Sequence, residues 1–310
     1  MKILILGAGA IGGYYGGRLV QAGADVSFMV RAERANILAQ NGLIIKSGLG
    51  DFSSKIKITL AGKACSDYDI IIIACKAYDL DSALDSLKSA VSNKAVIIPL
   101  LNGVKHIDKI SSTYPFAECW PGLAKISTTL TTDGEIHQFD NVNQIIFGTI
   151  DGREDNRAKE LVNLFRKQSV DASFSVRIKN DLWEKFTFLS TLAGITCLMR
   201  GSIDEILQVP SGKRLITQLL TECSEVSKAE GFPLEPHIFT QYLDHLVGPS
   251  FGLKSSMLRD IERAHKTEVE HILGDMLERA ERLQLSAPLL AIATAHVRTF
   301  ERQLANCEEN

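Results

Sequence analysis

Residues 1–17 read MKILILGAGAIGGYYGG, an apolar run that stops at a glycine and hands over to a helix-like segment. Ile3, Leu4, Ile5 and Leu6 leave no polar face, the pattern of a strand covered on both sides, as in a parallel sheet with helices on each face. Gly7, Gly9 and Gly12 follow in the spacing G-x-G-x-x-G. A dinucleotide site asks three different things of these positions: a tight turn, backbone bare enough to approach a pyrophosphate, and a helix packed hard on its strand. The helix they open directs its unpaired amides and positive end at the phosphates. The same spacing recurs in purely structural turns. The strand before it, the helix after it and its place at the head of a βαβ unit favour the dinucleotide reading.

The chain has 310 residues, 45% of them apolar, enough for two domains with a sizeable core. Its net charge of −3 gives no general attraction to nucleic acid or anionic lipid. No membrane span is expected, and the run ending at Leu6 is too short for the core of a signal peptide. Cys65, Cys75, Cys119, Cys197, Cys223 and Cys307 make no C-x-x-C pair and no metal-ligand spacing, so no metal site is expected and a reducing cytoplasm is the natural reading.

Further along, Ala24 to Val30 reads as the second strand and delivers Arg31. Roughly 20 residues beyond the glycines, an NAD-type site carries an acid for the ribose 2′-hydroxyl, whereas a guanidinium suits a 2′-phosphate. NADP(H) is therefore expected over NAD; the plainer reading pairs Arg31 and Arg34 with Glu33 as solvated charges. Strands at Leu43–Lys46 and Lys55–Leu60 carry no obvious chemistry. The runs Ile70 to Cys75 and Ala95 to Leu101 read as strands ending at Lys76 and at Asn102-Gly103. Ligands in open α/β sheets bind beyond the carboxyl ends of strands, and Gly7, Arg31, Lys76 and Asn102 each stand at one. Singly, Lys76 reads as an exposed charge and Asn102-Gly103 as a turn dipeptide; together the four outline one site.

Residues 120–149 read as three strands extending the sheet, with a hairpin turn at Asp133-Gly134. A helix over 151–168 and a last strand close an α/β, Rossmann-type domain spanning 1–175. An all-α domain spanning 176–310 follows, with helices expected at Lys179–Arg200, Ser211–Glu230, Pro236–Val247, Ser255–Leu283 and Pro288–Ala305. On the first of these, Leu182, Lys185, Leu189, Leu192, Ala193 and Thr196 share one face, so a lysine interrupts an apolar stripe. Burying an ammonium is costly unless it is paired, although a lysine at the stripe's edge can snorkel. The block 254–268, KSSMLRDIERAHKTE, opens with a serine pair suited to an N-cap. Glu268, near Lys266, Glu270 and His271, also reads as plain surface charge.

Taken in order, GAGAIG, Lys76 in ACKAYD, Asn102-Gly103, Trp183-Glu184-Lys185 and the SSM…D…TE block resemble the ketopantoate reductase family, whose members reduce 2-dehydropantoate to pantoate with NADPH in pantothenate and coenzyme A synthesis. The resemblance runs nearly the whole length. It implies a cytoplasmic NADP-dependent oxidoreductase acting on a CH–OH group, with a Rossmann domain, a helical domain and a substrate cleft between them. Gly7, Gly9, Ala10, Ile11, Gly12, Arg31, Lys76 and Asn102 would hold the cofactor. Lys185 would be the general acid and Glu268 its partner, with Asn102 and Ser256 on the substrate. These residue types suit the reaction: a cationic N–H donor stabilises charge developing on a carbonyl oxygen and then supplies the proton. A small-molecule 2-oxo acid is the expected partner, nucleic acid and membrane are not, and the helices of the second half allow a homodimer.

The chain departs from the family at Leu189 and Ala193, four and eight residues after the lysine, where members usually carry substrate-binding asparagines. Losing both polar groups favours a more apolar 2-oxo acid. A β-hydroxyacid dehydrogenase also joins these two domain types but does not call for the SSM…TE block; a non-catalytic NADP-binding sensor would leave Lys185 an edge cation. Along an unbroken helix Ser256 and Glu268 would stand roughly 18 Å apart, so the helix must be interrupted, Ser256 must fold back in a loop, or one assignment fails.

Overall fold

The computed structural model describes residues 1–65, 67–249 and 252–308, and its opening apolar run forms β1 (Lys2–Leu6). Ile3 and Ile5 enter one buried cluster while Leu4 and Leu6 enter another, so both faces of the strand are covered. This is why its sequence shows no polar alternation. The chain continues through α1 (Ala10–Gln21), β2 (Asp25–Val30), α2 (Ala32–Asn41), β3 (Leu43–Lys46), β4 (Phe52–Ser54), β5 (Lys57–Leu60) and β6 (Ile70–Ile73). There follow α3 (Leu80–Leu87), β7 (Val96–Pro99), α4 (Lys105–Thr113), β8 (Glu118–Cys119), β9 (Gly122–Leu130), β10 (Ile136–Phe147), α5 (Asn156–Arg166) and β11 (Asp171–Phe174). One sheet is parallel throughout, in the order β5-β2-β1-β6-β7-β8. Chain order reverses between β1 and β6, the switch point where open α/β sheets bind ligands.

Residues 120–149 do not extend this sheet. β9 and β10 form a hairpin within a second sheet, ordered β11-β10-β3-β4 with β9 paired to β10. The edge strand β8 is only two residues long and offers a twelve-residue strand nothing to pair with. β10 joins β3 instead, with Ile136 opposite Ile45. The two expected strands at 135–139 and 144–150 are one strand, whose polar middle is taken up by a register shift between Gln138 and Asn143.

Contacts divide the chain into one unit of Met1–Leu101 with His106–Lys179 and another of Asn102–Lys105 with Asn180–Asn310. The second contains α6 (Ile178–Met199) from Asn180 onward, α7 (Ile203–Leu207), α8 (Gly212–Ala229), α9 (Pro236–Val247), α10 (Ser256–Glu262), α11 (Asp275–Arg282) and α12 (Pro288–Glu308). The helix expected over Ser255–Leu283 is broken. α10 closes with Ala264 in the left-handed region at φ 52°, His265 N–H donating to Asp260 C=O at 2.8 Å and Ala264 N–H to Ile261 C=O at 3.0 Å. That is a Schellman cap with alanine where glycine is usual. The chain then restarts in a π-helical turn, Glu270–Gly274, leading into α11. Among the described residues no helix is long and apolar enough to cross a membrane, and no group of three metal-ligating side chains gathers.

Candidate active site

In the first unit the glycine turn joins the ends of β1 and β6. Gly7 adopts φ 95°, a conformation only glycine takes without strain, and the Ala74 carbonyl oxygen lies 3.2 Å from where a Cβ would stand. A Cβ on Gly12 would lie 2.0 Å from the Gly7 oxygen, so α1 can approach its strand only with glycine there. Gly9 differs: nothing lies within 4 Å of its Cβ position. Its bareness serves no contact in the chain, which is what close approach of a pyrophosphate requires. Half-buried Ala10 and Ile11 begin α1, whose N-terminus has no side-chain cap and no acid in its first turn. Its positive end is therefore left for an anion, and the residues present fit a dinucleotide. Gly9→Ala is expected to leave the melting temperature unchanged and weaken binding of a nicotinamide dinucleotide by about tenfold or more, whereas Gly12→Ala loses both binding and stability. Thermal melts beside cofactor titrations check this.

Arg31 caps α2 and is 70% exposed; its Nη2 donates to Asp79 Oδ1 at 2.7 Å and to Ser82 Oγ at 3.4 Å. Asp79 arrives by a 3-10 turn, Ala77–Asp79, that begins at half-buried Lys76. The carboxylate raises the Arg31 pKa above its usual value. Arg34 is not loop charge: its Nε donates to Ala8 C=O at 2.9 Å and Nη1 to Gly134 C=O at 3.0 Å, tying the glycine turn to the β9–β10 hairpin.

In the second unit Lys185, half-buried on α6, donates from Nζ to Asn102 Oδ1 at 3.1 Å. The expected stripe is present, with Leu182, Leu192, Ala193 and Thr196 buried and Leu189 half-buried beside it. Asn102 reaches α6 because the chain enters this unit for only four residues, Asn102–Lys105. Glu268 is not surface charge: it is 9% exposed, in the loop before the π turn, and its carbonyl accepts from the His271 and Ile272 N–H groups at 3.1 Å each. Glu268 also acts electrostatically on the His271 ring, which is hydrogen-bonded to the Asn102 backbone. Lys185, Asn102, His271 and Glu268 therefore form one connected group.

Ser256 is exposed in the first turn of α10. Its neighbour Ser255 is the buried N-cap, bonding Leu258 N–H at 3.0 Å and Thr196 Oγ1 at 2.8 Å. Thr196 lies eleven residues beyond Lys185, about 16 Å along α6, so Ser256 sits at the far end of the stripe. Burial pushes the thiols of Cys119, Cys197 and Cys223 up to about 12, which leaves them protonated and unsuited to nucleophilic work.

Two family models match in order: ketopantoate reductase PanE/ApbA over residues 3–152 and its C-terminal counterpart over 177–301. An uncharacterised oxidoreductase, YkpB, of Bacillus subtilis is 35% identical over 303 residues, covering 98% of this chain and all of that one. The chain belongs to the ketopantoate reductase family. The crystal structure of a 2-dehydropantoate 2-reductase from Methylococcus capsulatus aligns at a TM-score of 0.88 and 25% identity, covering 98% of both chains. A D-mandelate dehydrogenase solved with NADH and anilino(oxo)acetate aligns equally well, at 0.88 over 98% of this chain and 99% of that one; at 23% identity it speaks for the fold. This ketopantoate reductase family member is thus an oxidoreductase of the 2-dehydropantoate 2-reductase type, and the family's chemistry is reduction of 2-oxo acids with a nicotinamide dinucleotide. Arg34 and His271 are the two residues at these positions that patterning does not single out; each looks like one more polar residue in a charged run.

Proposed function

We propose that this chain reduces 2-dehydropantoate to pantoate with NADPH, and that Leu189 and Ala193 extend its range to more apolar 2-oxo acids. The 3.1 Å bond between Lys185 Nζ and Asn102 Oδ1 carries the reading, because it aims a cation from an otherwise apolar stripe. The nicotinamide, when bound, supplies the hydride. Lys185 stabilises the negative charge that grows on the C2 oxygen as the carbonyl is reduced, and then gives that oxygen its proton. Asn102 holds Nζ through its amide oxygen and keeps its NH₂ for the substrate; buried Glu268 supplies the negative charge that an ammonium in a partly apolar setting needs. Ser256, exposed at the far end of the stripe about 16 Å from Lys185, lies beyond the reach of a small acid held there and is left out of the reaction.

The preference for NADPH rests on Arg31. Among the described residues its bonds to Asp79 and Ser82 both use Nη2, and a guanidinium has five N–H donors, so Nε and Nη1 can serve a 2′-phosphate. Arg31→Ala is expected to cut the NADPH-over-NADH ratio of kcat/KM by about tenfold to a hundredfold, the worth of a charge-assisted bond. Equal ratios in both proteins would remove Arg31 from the assignment.

The apolar extension draws on Leu189 and Ala193, and on the D-mandelate dehydrogenase neighbour with its aromatic oxo acid ligand. A site lacking hydrogen-bonding groups discriminates weakly against substrates without a hydroxyl. Steady-state NADPH oxidation should therefore give branched or aromatic 2-oxo acids a kcat/KM within about tenfold of that for 2-dehydropantoate. A preference for 2-dehydropantoate above about a hundredfold removes the extension, and no turnover with any 2-oxo acid removes the proposed reaction.

A further inference from the structure

We infer that His271 is a positioning residue for Asn102: its ring and backbone grip the Asn102-Gly103 turn, so that the Asn102 amide oxygen is presented to Lys185. The inference rests on the reading of Lys185 and Asn102 given above. Gly103 has φ 84°, and a Cβ there would lie 2.8 Å from the His271 carbonyl oxygen and 3.1 and 3.4 Å from the ring atoms Cδ2 and Nε2. The turn and the ring therefore touch over both backbone and side chain. The ring is also hydrogen-bonded to the Asn102 backbone in the sense that favours its protonated form, so imidazole N–H donates to the carbonyl. Burial lowers the His271 pKa and Lys105 lowers it further, against Glu268 and the Asn102 bond, so the ring works as a neutral donor.

The Glu268 carbonyl accepts from the His271 and Ile272 N–H groups at 3.1 Å each, so the chain is already turning as a helix there. Residues three apart on such a turn share one face, which lets this stretch present Glu268 and His271 to the same group. Asn102 needs such a grip. It stands in a four-residue excursion from the first unit, in a turn made by glycine, and its side chain has two free torsions to settle.

Amide hydrogen exchange across Asn102–Lys105, measured on the full chain without ligand, tests the grip independently of turnover. His271→Phe keeps the ring volume and removes the donor, and should speed exchange there by about tenfold or more; His271→Gln can still donate and should stay within about threefold of wild type. His271→Asn, too short to reach, should behave like the Phe variant and replaces it if that variant does not fold. In kinetics His271→Phe should lower kcat by about tenfold with cofactor affinity retained, and the same change in an Asn102→Ala background should cost less than about twofold, because the residue it acts through is gone. Equal exchange in wild type, Phe and Asn variants would overturn the inference, as would a full His271→Phe penalty persisting without Asn102. A wild-type chain that reduces no 2-oxo acid would instead remove the proposed reaction, and the exchange data would still decide the grip.

Discussion

Replacing Lys185 with Met is expected to lower kcat for 2-oxo acid reduction by about three orders of magnitude while the Kd for NADPH stays within about twofold of wild type. Methionine preserves the length and apolar stem that pack on the α6 stripe, so the variant removes the ammonium and little else. General acid catalysis contributes about 10²- to 10⁴-fold, and a donor placed on a developing oxyanion contributes a comparable factor. In the proposed mechanism one N–H group performs both tasks, so the two factors are not multiplied. Lys185→Arg would keep the charge but hold its proton too tightly, and should recover only part of the loss. Unchanged turnover in the Met variant would make Lys185 an edge cation, as a non-catalytic sensor requires. Lost turnover together with lost NADPH binding would point to a structural role.

Arg279→Met is expected to destabilise the second unit by about 3–5 kcal/mol, lowering its melting temperature by on the order of 10 °C. Arg279 holds three groups together: Nε donates to Asp275 Oδ1 at 3.1 Å, Nη1 to Glu230 Oε2 at 3.0 Å, and Cζ lies 5.1 Å over the Trp183 ring, two residues before Lys185. Trp183 stacks in turn on Phe232. The two carboxylates do not suffer equally. Glu230 keeps Arg282, whereas the Asp275 side chain is 4% exposed and its Oδ2 already has no hydrogen bond among the described residues. Burial raises the Asp275 pKa against the pull of Arg279, and removing Arg279 raises it further. A carboxyl whose folded pKa lies above its unfolded value costs stability at neutral pH, and that cost fades as pH falls through the folded pKa toward about 4. The gap between variant and wild type should accordingly narrow in acid. Asp275→Asn in the same background should recover part of the loss at neutral pH. A loss below about 1 kcal/mol, or one independent of pH, would show that Asp275 finds other compensation.

Local order carried most of the reading of the first unit. Ile3–Leu6 and Ile70–Ile73 are legible as doubly covered strands because burial on two faces erases alternation, and the glycine spacing records steric demands of the chain at Gly7 and Gly12 with an open position between them at Gly9. What resisted reading was non-local or wore an unusual residue. The polar run Asp140–Asn143 looks like a break between strands, yet β10 absorbs it as a register shift. Ala264 ends α10 in a conformation that glycine normally advertises. Arg31 meets Asp79, and Lys185 meets Asn102, across separations of 48 and 83 residues that no periodicity encodes. His271 was hidden for a further reason: among Lys266, Glu268 and Glu270 only the fold distinguishes buried groups from exposed ones.

The central claim is that the C2 carbon of a 2-oxo acid takes a hydride in a site where Lys185 supplies the proton. NADPH deuterated at nicotinamide C4 on one face and then the other, incubated with the wild-type chain and 2-dehydropantoate or phenylglyoxylate, tests it most directly by mass spectrometry of the product. The account predicts one deuterium at C2 of the 2-hydroxy acid from one of the two labelled cofactors, and no such product from the Lys185→Met variant on the same timescale. A hydroxy acid formed without deuterium from either cofactor, or formed as fast by the variant, would contradict it.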